Sequence, residues 1–448
     1  MSNASQLSRR SFLKGSVSSA GLAAASSVAF STWPVLGAND RINVAVIGVR
    51  SRGRDHIAAF AKQPNCSITT ICDIDLGEAA RGQALVEELQ GKKPEVVQDL
   101  RRVFDNKNID VVTIATPNHW HALATIWACQ AGKDVYVEKP ASHNIWEGQR
   151  MVDAARKYQR MVQIGLQAHS IEHYRRAMEM LHQGAIGKVY MAKGLCFKRR
   201  KSIGHQPDGP VPEGVDYDLW VGPAEKRPFN PNRFHYNWHW FWNTGNGDIG
   251  NQGIHEMDIA RWGLGKTGVA PQVFCSGAKY IYSDDQETPN TQISILRYPD
   301  SSQIIFEVRG LMTQGEGDMN LEGPNYIGVI FLGSEGTLSL DSQGFKVFMG
   351  DERKLAHEMK YTEEEAWATW PHAANFLKAV QSRKHEDLTC DVGETYPSVV
   401  MNHMSNISYR TQRPLVFDAT AGNFGDDHEA NSYLSRSYRA PYIVPDHV

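Results

Sequence analysis

The sequence predicts an α/β chain in two parts, a doubly wound parallel sheet followed by an α+β domain. Three observations carry this. From Arg41 to Gly165, apolar strand-like runs alternate with helical patterns, the signature of a parallel sheet with helices on both faces. A glycine-bearing turn, Gly48-Val49-Arg50-Ser51-Arg52-Gly53, joins the first such run to the first helix. Beyond Gly187 the texture changes to consecutive alternating runs, which suit antiparallel strands.

The elements follow in order. Arg41–Gly48 is a near-continuous apolar run, the pattern of a strand buried on both faces. Ser51–Lys62 reads as a helix, Ser67–Asp73 as a strand and Leu76–Gln90 as a helix with apolar residues at helical spacing. Asp110–Ala115, Lys133–Val137 and Met161–Gly165 are further strands, separated by helices at His119–Ala131 and Asn144–Arg160. Aromatics, glycines and prolines crowd Pro207–Trp262. Gln292–Tyr298, Ser302–Val308, Tyr326–Leu332 and Thr337–Asp341 then read as strands, with a turn at Tyr298-Pro299-Asp300-Ser301. Helices over Glu363–Arg383 and Gly393–Arg410 close the chain.

The first 38 residues read as a targeting segment rather than structure. Ser8-Arg9-Arg10-Ser11-Phe12-Leu13-Lys14 precedes a weakly apolar stretch of about 16 residues, too short to span a bilayer. Paired arginines before Phe-Leu-Lys read as a twin-arginine export signal, so the expected location is the periplasm. The expected division is 1–38 signal, 39–165 nucleotide-binding domain and 166–448 substrate and oligomerisation domain. Folded export favours a cofactor loaded beforehand and held tightly.

The full chain carries a net charge of −3, and −6 once Arg9, Arg10 and Lys14 of the signal are set aside. No clustered basic face points to nucleic acid, and Lys198-Arg199-Arg200-Lys201 is short enough to be a solvated turn. No later segment is apolar enough to span a membrane. None of the six cysteines forms a CxxC pair, and no disulfide framework is expected.

The turn Gly48–Gly53 has the first and third glycines of the dinucleotide fingerprint, with Arg50 at the second. Its guanidinium can itself meet phosphate, and Ser51 and Arg52 complete the turn. Asp73, 20 residues beyond Gly53, can accept hydrogen bonds from the adenosine ribose, which favours NAD over NADP. Thr116, Pro117, Asn118 and His121, and then Glu138 and Lys139, stand at the carboxyl ends of the next two strands, the ligand edge of such sheets.

On these residues the chain resembles the glucose–fructose oxidoreductase, inositol dehydrogenase and rhizopine-catabolism (Gfo/Idh/MocA) family. The carriers are the nucleotide turn, Thr116-Pro117-Asn118-His119, Glu138-Lys139-Pro140, Asp218-Leu219-Trp220-Val221-Gly222-Pro223 and Gly250-Asn251-Gln252-Gly253-Ile254-His255-Glu256-Met257-Asp258. The resemblance implies a Rossmann domain plus a C-terminal domain with an open, largely antiparallel sheet that builds a homo-oligomer. It also implies action on a small-molecule sugar, polyol or derivative. The family's catalytic lysine maps onto Lys139 and its catalytic histidine onto His255. Its aspartate four residues before the histidine is Asn251 here, which cannot take a proton.

These groups permit oxidation of a secondary alcohol. His255, with an ordinary pKa of about 6.5, suits a base, and Lys139 stabilises a developing alkoxide. Phe234–Asn243 places six aromatics and two histidines in ten positions. Tyr236, Trp238 and Trp240 suit a sugar ring, and a packed aromatic core suits the pattern equally. Gln167, His169 and Tyr174 are expected to reach the cleft. His235, His239 and His255 do not form an HExxH pattern, and no metal is expected. Three functions fit: a carbohydrate oxidoreductase, a glycosidase that oxidises and re-reduces its substrate through NAD, and a non-catalytic cofactor-bound sugar-binding protein. Retention of Lys139 and His255 speaks against the third.

Overall fold

The computed structural model describes residues 41–311, 325–361 and 368–448. The expected targeting segment, and the Glu363 start of the first closing helix, lie outside the described residues.

The first sheet has six parallel strands: β1 (Ile42–Ile47), β2 (Cys66–Cys72), β3 (Glu95–Val97), β4 (Val111–Ile114), β5 (Asp134–Val137) and β6 (Val162–Ile164), in the order β3-β2-β1-β4-β5-β6. The order reverses between β1 and β4, and ligands bind at such a switch point. Helices α1 (Arg52–Ala61), α2 (Leu76–Gln90), α3 (Leu100–Asp105), α4 (Asn118–Gln130) and α5 (Ile145–Lys157) join the strands. The burial that produced the apolar runs is plain: Val44, Val46, Val111, Val112, Val135 and Val137 are fully buried. The sequence reading missed β3 and α3. At three and six residues, they are too short for either period to show.

The second sheet has nine strands. They are β7 (Val189–Lys198), β8 (Gln272–Ala278), β9 (Thr291–Arg297), β10 (Gln303–Arg309), β11 (Asn325–Gly333), β12 (Gly336–Asp341), β13 (Gly344–Met349), β14 (Lys354–Lys360) and β15 (Leu415–Val416). The order is β14-β13-β12-β11-β7-β10-β9-β8-β15. Only β7 and β10 pair in parallel; every other pairing is antiparallel. Four of these strands were legible. In β8 the outward Phe274 is apolar and 40% exposed, which blurs the alternation, and the edge strand β14 is exposed along nearly its whole length. Helices α6 (Glu172–His182), α7 (Tyr217–Val221) and α8 (Ile254–Gly263) belong to this half.

The chain end returns to the first sheet. Helix α9 (Trp370–Ser382) packs on α1, with the Phe376 ring 6.2 Å from Phe60 and 5.9 Å from Tyr136. Helix α10 (Val392–Thr411) contacts both α5 and β8. Tyr442 closes on Trp120 at 5.4 Å. The closing segment therefore completes the cores on both faces of the first sheet, Phe376 on one and Tyr442 on the other. All six cysteines are buried and free.

Candidate active site

A cleft opens along the carboxyl edge of the first sheet, lined by residues from both halves of the molecule. Its nucleotide end is built by backbone. Gly48 has φ +79°, and a Cβ there would lie 2.8 Å from the Ala115 carbonyl oxygen. A Cβ on Gly53 would lie 1.9 Å from the Gly48 oxygen. Ser51, at φ 49°, precedes α1 without a side-chain cap; Gly53 N and Arg54 N turn back to the Arg50 and Ser51 oxygens at 3.2 and 2.9 Å, which leaves the Arg52 N–H at the helix start for an anion.

Asp73 ends β2. Its Oδ2 accepts from Val49 N at 2.8 Å and its Oδ1 from Asp75 N at 3.0 Å. Burial nevertheless raises its pKa to about 6, and the carboxyl faces the cleft. Arg50 lines the cleft half-exposed, 3.6 Å from Glu78. A cradle too tight for a Cβ, an uncapped helix start and a carboxylate on the cleft at the end of the second strand together fit a dinucleotide.

The guanidinium of Arg52 does not wait for phosphate. Its Nε donates to Glu138 at 2.7 Å and its Nη1 to Asp55 at 3.2 Å. Glu138 also accepts from His56 Nε2 at 3.0 Å. Although burial alone would raise its pKa, the Arg52 charge and the His56 hydrogen bond hold this carboxyl well below the usual range. Gln167 donates to Glu138 at 3.5 Å and to the Tyr136 hydroxyl at 3.3 Å, so it braces the site from behind rather than facing substrate. The ring nitrogens of His121 lie 2.8 Å from the Thr116 oxygen and 2.7 Å from the Pro140 oxygen, tying the ends of β4 and β5 together. Pro117 precedes α4, and Asn118 donates across to Asn246 at 2.9 Å.

The reaction end centres on Lys139. A π-helical turn, Ile249–Gly253, precedes α8, and Lys139 Nζ donates to the Asn251 backbone oxygen in it at 2.7 Å. The Asn251 amide oxygen lies 3.4 Å from the same Nζ. Burial pushes the Lys139 ammonium down to about 8, against the pull of Glu138. Asn251 in turn donates to Asp248 at 3.4 Å, and Arg200 grips Asp248 with two hydrogen bonds at 2.6 and 3.0 Å. The carboxylate absent at position 251 therefore stands one turn earlier, already paired.

His255, second residue of α8, is buried behind Lys139 and Asn251 and is not among the residues that line the cleft, and its pKa falls to about 3 through burial and the Lys139 charge. This corrects the ordinary value expected from sequence: the imidazole is neutral throughout the neutral range.

The aromatic segment is divided. Tyr236 and Trp238 line the cleft, whereas Trp240 is buried beneath the Arg200 guanidinium at 4.8 Å and does not. Two further residues named above correct the sequence expectation. Tyr174 packs in the second core, and His169 pairs with Asp258 at 2.6 Å, so neither lines the cleft.

Two histidines that the sequence reading weighed only for a metal do line it. His235 Nε2 meets Asp75 at 3.1 Å. His239 lies stacked on Trp238 at 3.6 Å, and its Nδ1 donates to the Tyr236 oxygen at 2.5 Å. That bond leaves Nε2 with the lone pair, and burial lowers the ring to about 3. The signal was present in the aromatic run, but only folding shows which residues of it face inward.

A segment from the second half roofs the nucleotide end. Leu76 N donates to Gly214 O at 3.1 Å and Asp216 N to Ile74 O at 2.9 Å. Trp120 Nε1 donates to Leu219 O at 2.9 Å, and His119 Nε2 to Trp220 O at 2.9 Å.

Comparison with known proteins agrees with this architecture. Residues 42–166 match the family model for the oxidoreductase family, NAD-binding Rossmann fold, and residues 188–444 match its C-terminal alpha/beta domain. An inositol 2-dehydrogenase/D-chiro-inositol 3-dehydrogenase of Lactiplantibacillus plantarum is 28% identical over 42% of this chain and 55% of its own length. A glycosyl hydrolase family 109 protein of Saccharopolyspora erythraea is 28% identical over 35% of each chain. The matched segments thus span about a third to just over half of these relatives. A levoglucosan dehydrogenase solved with NADH and levoglucosan shares the fold, with a TM-score of 0.64 and 18% identity over 85% of this chain and all of that one. The chain belongs to the Gfo/Idh/MocA oxidoreductase family, and its first domain is that family's NAD-binding Rossmann fold.

Proposed function

We propose that this protein is an NAD-dependent oxidoreductase that oxidises or reduces a hydroxyl or keto group of a sugar, polyol or glycoside with a tightly held cofactor. The observation that carries the reading is Lys139, a half-buried ammonium at the end of β5 that lines the nucleotide cleft together with Tyr236, Trp238 and His239. NAD, when bound, supplies a hydride acceptor. The chain's own residues then handle the proton and the substrate. Lys139 donates a hydrogen bond to the reacting oxygen and stabilises its negative charge. His255 and His239 are neutral acceptors near that ammonium, suited to receive the hydroxyl proton. Tyr236 and Trp238 offer faces to the apolar side of a sugar ring. The roof over the nucleotide end supports retention of the cofactor.

The alternative is glycoside hydrolysis through transient oxidation and elimination, with no net redox. The match to a glycosyl hydrolase family 109 protein favours it as the second reading. Export by the twin-arginine route and a homo-oligomer complete the proposal. For the oligomer, Phe274, Ile293 and Ile295 leave an exposed apolar strip on β8 and β9.

One experiment tests the function. Purified protein is denatured and its released nucleotide identified. Intact protein is then offered sugars, polyols and glycosides while nicotinamide absorbance and free aglycone are followed. Bound NAD reduced by a free sugar or polyol supports the oxidoreductase. Aglycone release without net reduction supports the hydrolase. Protein empty of nucleotide, or inert to every substrate, contradicts both.

A further inference from the structure

The aromatic segment ends by turning away from the cleft. Trp242 and Asn243 line a second, half-open cavity of about 480 Å³ whose wall also carries His143, Arg410, Tyr433 and Arg436. It adjoins the active site through Asn246, which accepts from Asn118 of the cleft at 2.9 Å and donates to the His143 oxygen at 3.0 Å.

Three guanidiniums line this cavity, and one of them, Arg227, is paired with Glu225 of the same wall at 3.1 Å. Arg410 is stacked over Tyr433 at 4.1 Å and Trp242 at 5.0 Å. Arg436 Nη1 donates to the Asn243 oxygen at 2.9 Å and meets His143 Nδ1 at 3.2 Å, while its buried Nη2 has no hydrogen-bond partner among the described residues. Among the described residues neither Arg410 nor Arg436 has a carboxylate oxygen within 4.0 Å.

The nearby acids are engaged elsewhere. Glu225, in the cavity wall, is neutralised by Arg227 at 3.1 Å, and Arg227 also pairs with Glu287 at 3.0 Å. Glu147, behind Arg436, already accepts from His143 N, Asn144 Nδ2 and the Tyr438 hydroxyl, each at 3.0 Å. Burial lowers the pKa of both Arg410 and Arg436, against the pull of the Glu147 charge on Arg436. Arg410 is exposed and Arg436 half-buried, and a planar guanidinium fork with an N–H edge open to a cavity is matched by an oxyanion.

We infer that this cavity is a second binding site, for a small oxyanion presented as carboxylate, sulfate or phosphate. The ligand is held between Arg410 and Arg436, one wall away from the reaction cleft. The oxyanion comes either free from solution or on an acidic sugar, and the two sources are separable.

The test titrates the purified full-length protein with sodium sulfate, sodium phosphate and sodium glucuronate, against sodium chloride at equal ionic strength, by calorimetry and thermal unfolding. At least one oxyanion is expected to bind saturably at one site per chain and to raise the unfolding temperature above the chloride control. Tighter binding of glucuronate than of sulfate or phosphate assigns an acidic sugar, and the reverse order assigns a free oxyanion. Arg436→Met and Arg410→Met are each expected to weaken binding at least about tenfold. Lys139→Ala, which alters only the cleft, is expected to bind as wild type does. Arg436→Lys keeps the charge without the fork, and it carries the test should Arg436→Met not fold. The inference is overturned if no oxyanion exceeds chloride, or if both arginine variants bind as tightly as wild type. It is equally overturned if these variants change the oligomeric mass in light scattering while oxyanion binding persists, since the cavity then belongs to a contact between copies.

Discussion

The two ends of the cleft are built in opposite ways. The nucleotide end comes from one continuous stretch: Gly48, Ser51, Gly53 and Asp73 lie within 26 residues, and the ligand meets mainly backbone and one carboxylate. The reaction end is assembled from side chains far apart in sequence, with Lys139 held by Asn251, Asn251 by Asp248, and Asp248 by Arg200. Backbone built by a tight turn has no substitute for glycine. A side-chain network tolerates exchange of its members so long as charge and contact survive. An Asn stands at position 251, and a carboxylate one turn away pairs with Arg200 instead.

This difference ranks the expected effects of substitution. The largest should come from Gly53→Ala, whose new Cβ would fall 1.9 Å from the Gly48 oxygen. The variant is expected to retain no nucleotide, measured as cofactor released per chain on denaturation. Near-normal nucleotide content would show that the turn is not the cradle described.

Next is Glu138→Gln, which leaves Arg52 facing a neutral amide where a buried anion stood. A loss of about 3 kcal/mol is expected at neutral pH in denaturant unfolding. The folded-state pKa of Glu138 lies below its ordinary 4.5, so its contribution is present above about 4.5 and fades as the pH falls further. The gap between wild type and variant should therefore shrink on acidification. A gap that stays constant would remove the charge from the explanation.

A smaller effect, and one that sharpens the contrast, is expected from Asn251→Asp. The substituted oxygen lies 3.4 Å from Lys139 Nζ, so a carboxylate there favours the ammonium and raises its pKa from about 8. Loss of the Lys139 charge defines the alkaline limb of kcat/KM, which should then move to higher pH. The acid limb should scarcely move, because His255 and His239 are already neutral near pH 7. Superimposable profiles would place Asn251 outside the reacting centre.

The same contrast explains what could be read from sequence. The parallel strands were legible because burial on both faces leaves continuous apolar runs such as Ile42–Ile47. The nucleotide turn was legible because its residues are neighbours. Lys139 and His255 were legible through family motifs, but their environments were not: no spacing states that burial takes His255 to about 3 or that Arg52 turns to Glu138. His239 was weighed only as a metal ligand, because an aromatic run looks alike whether it faces a cleft or a core. Trp238 faces the cleft and Trp240 packs beneath Arg200, two residues apart. That choice is made by the irregular backbone of Phe234–Asn243, where no simple period assigns sides.

The most direct test of the account compares Lys139→Ala with wild type for nucleotide content and turnover on the best substrate found. If the two ends of the cleft are separate constructions, the variant keeps near-normal bound NAD while turnover falls by about 10²–10⁴. Turnover within a few-fold of wild type would contradict the role given to the lysine. Loss of the cofactor along with activity would contradict the division between the two ends.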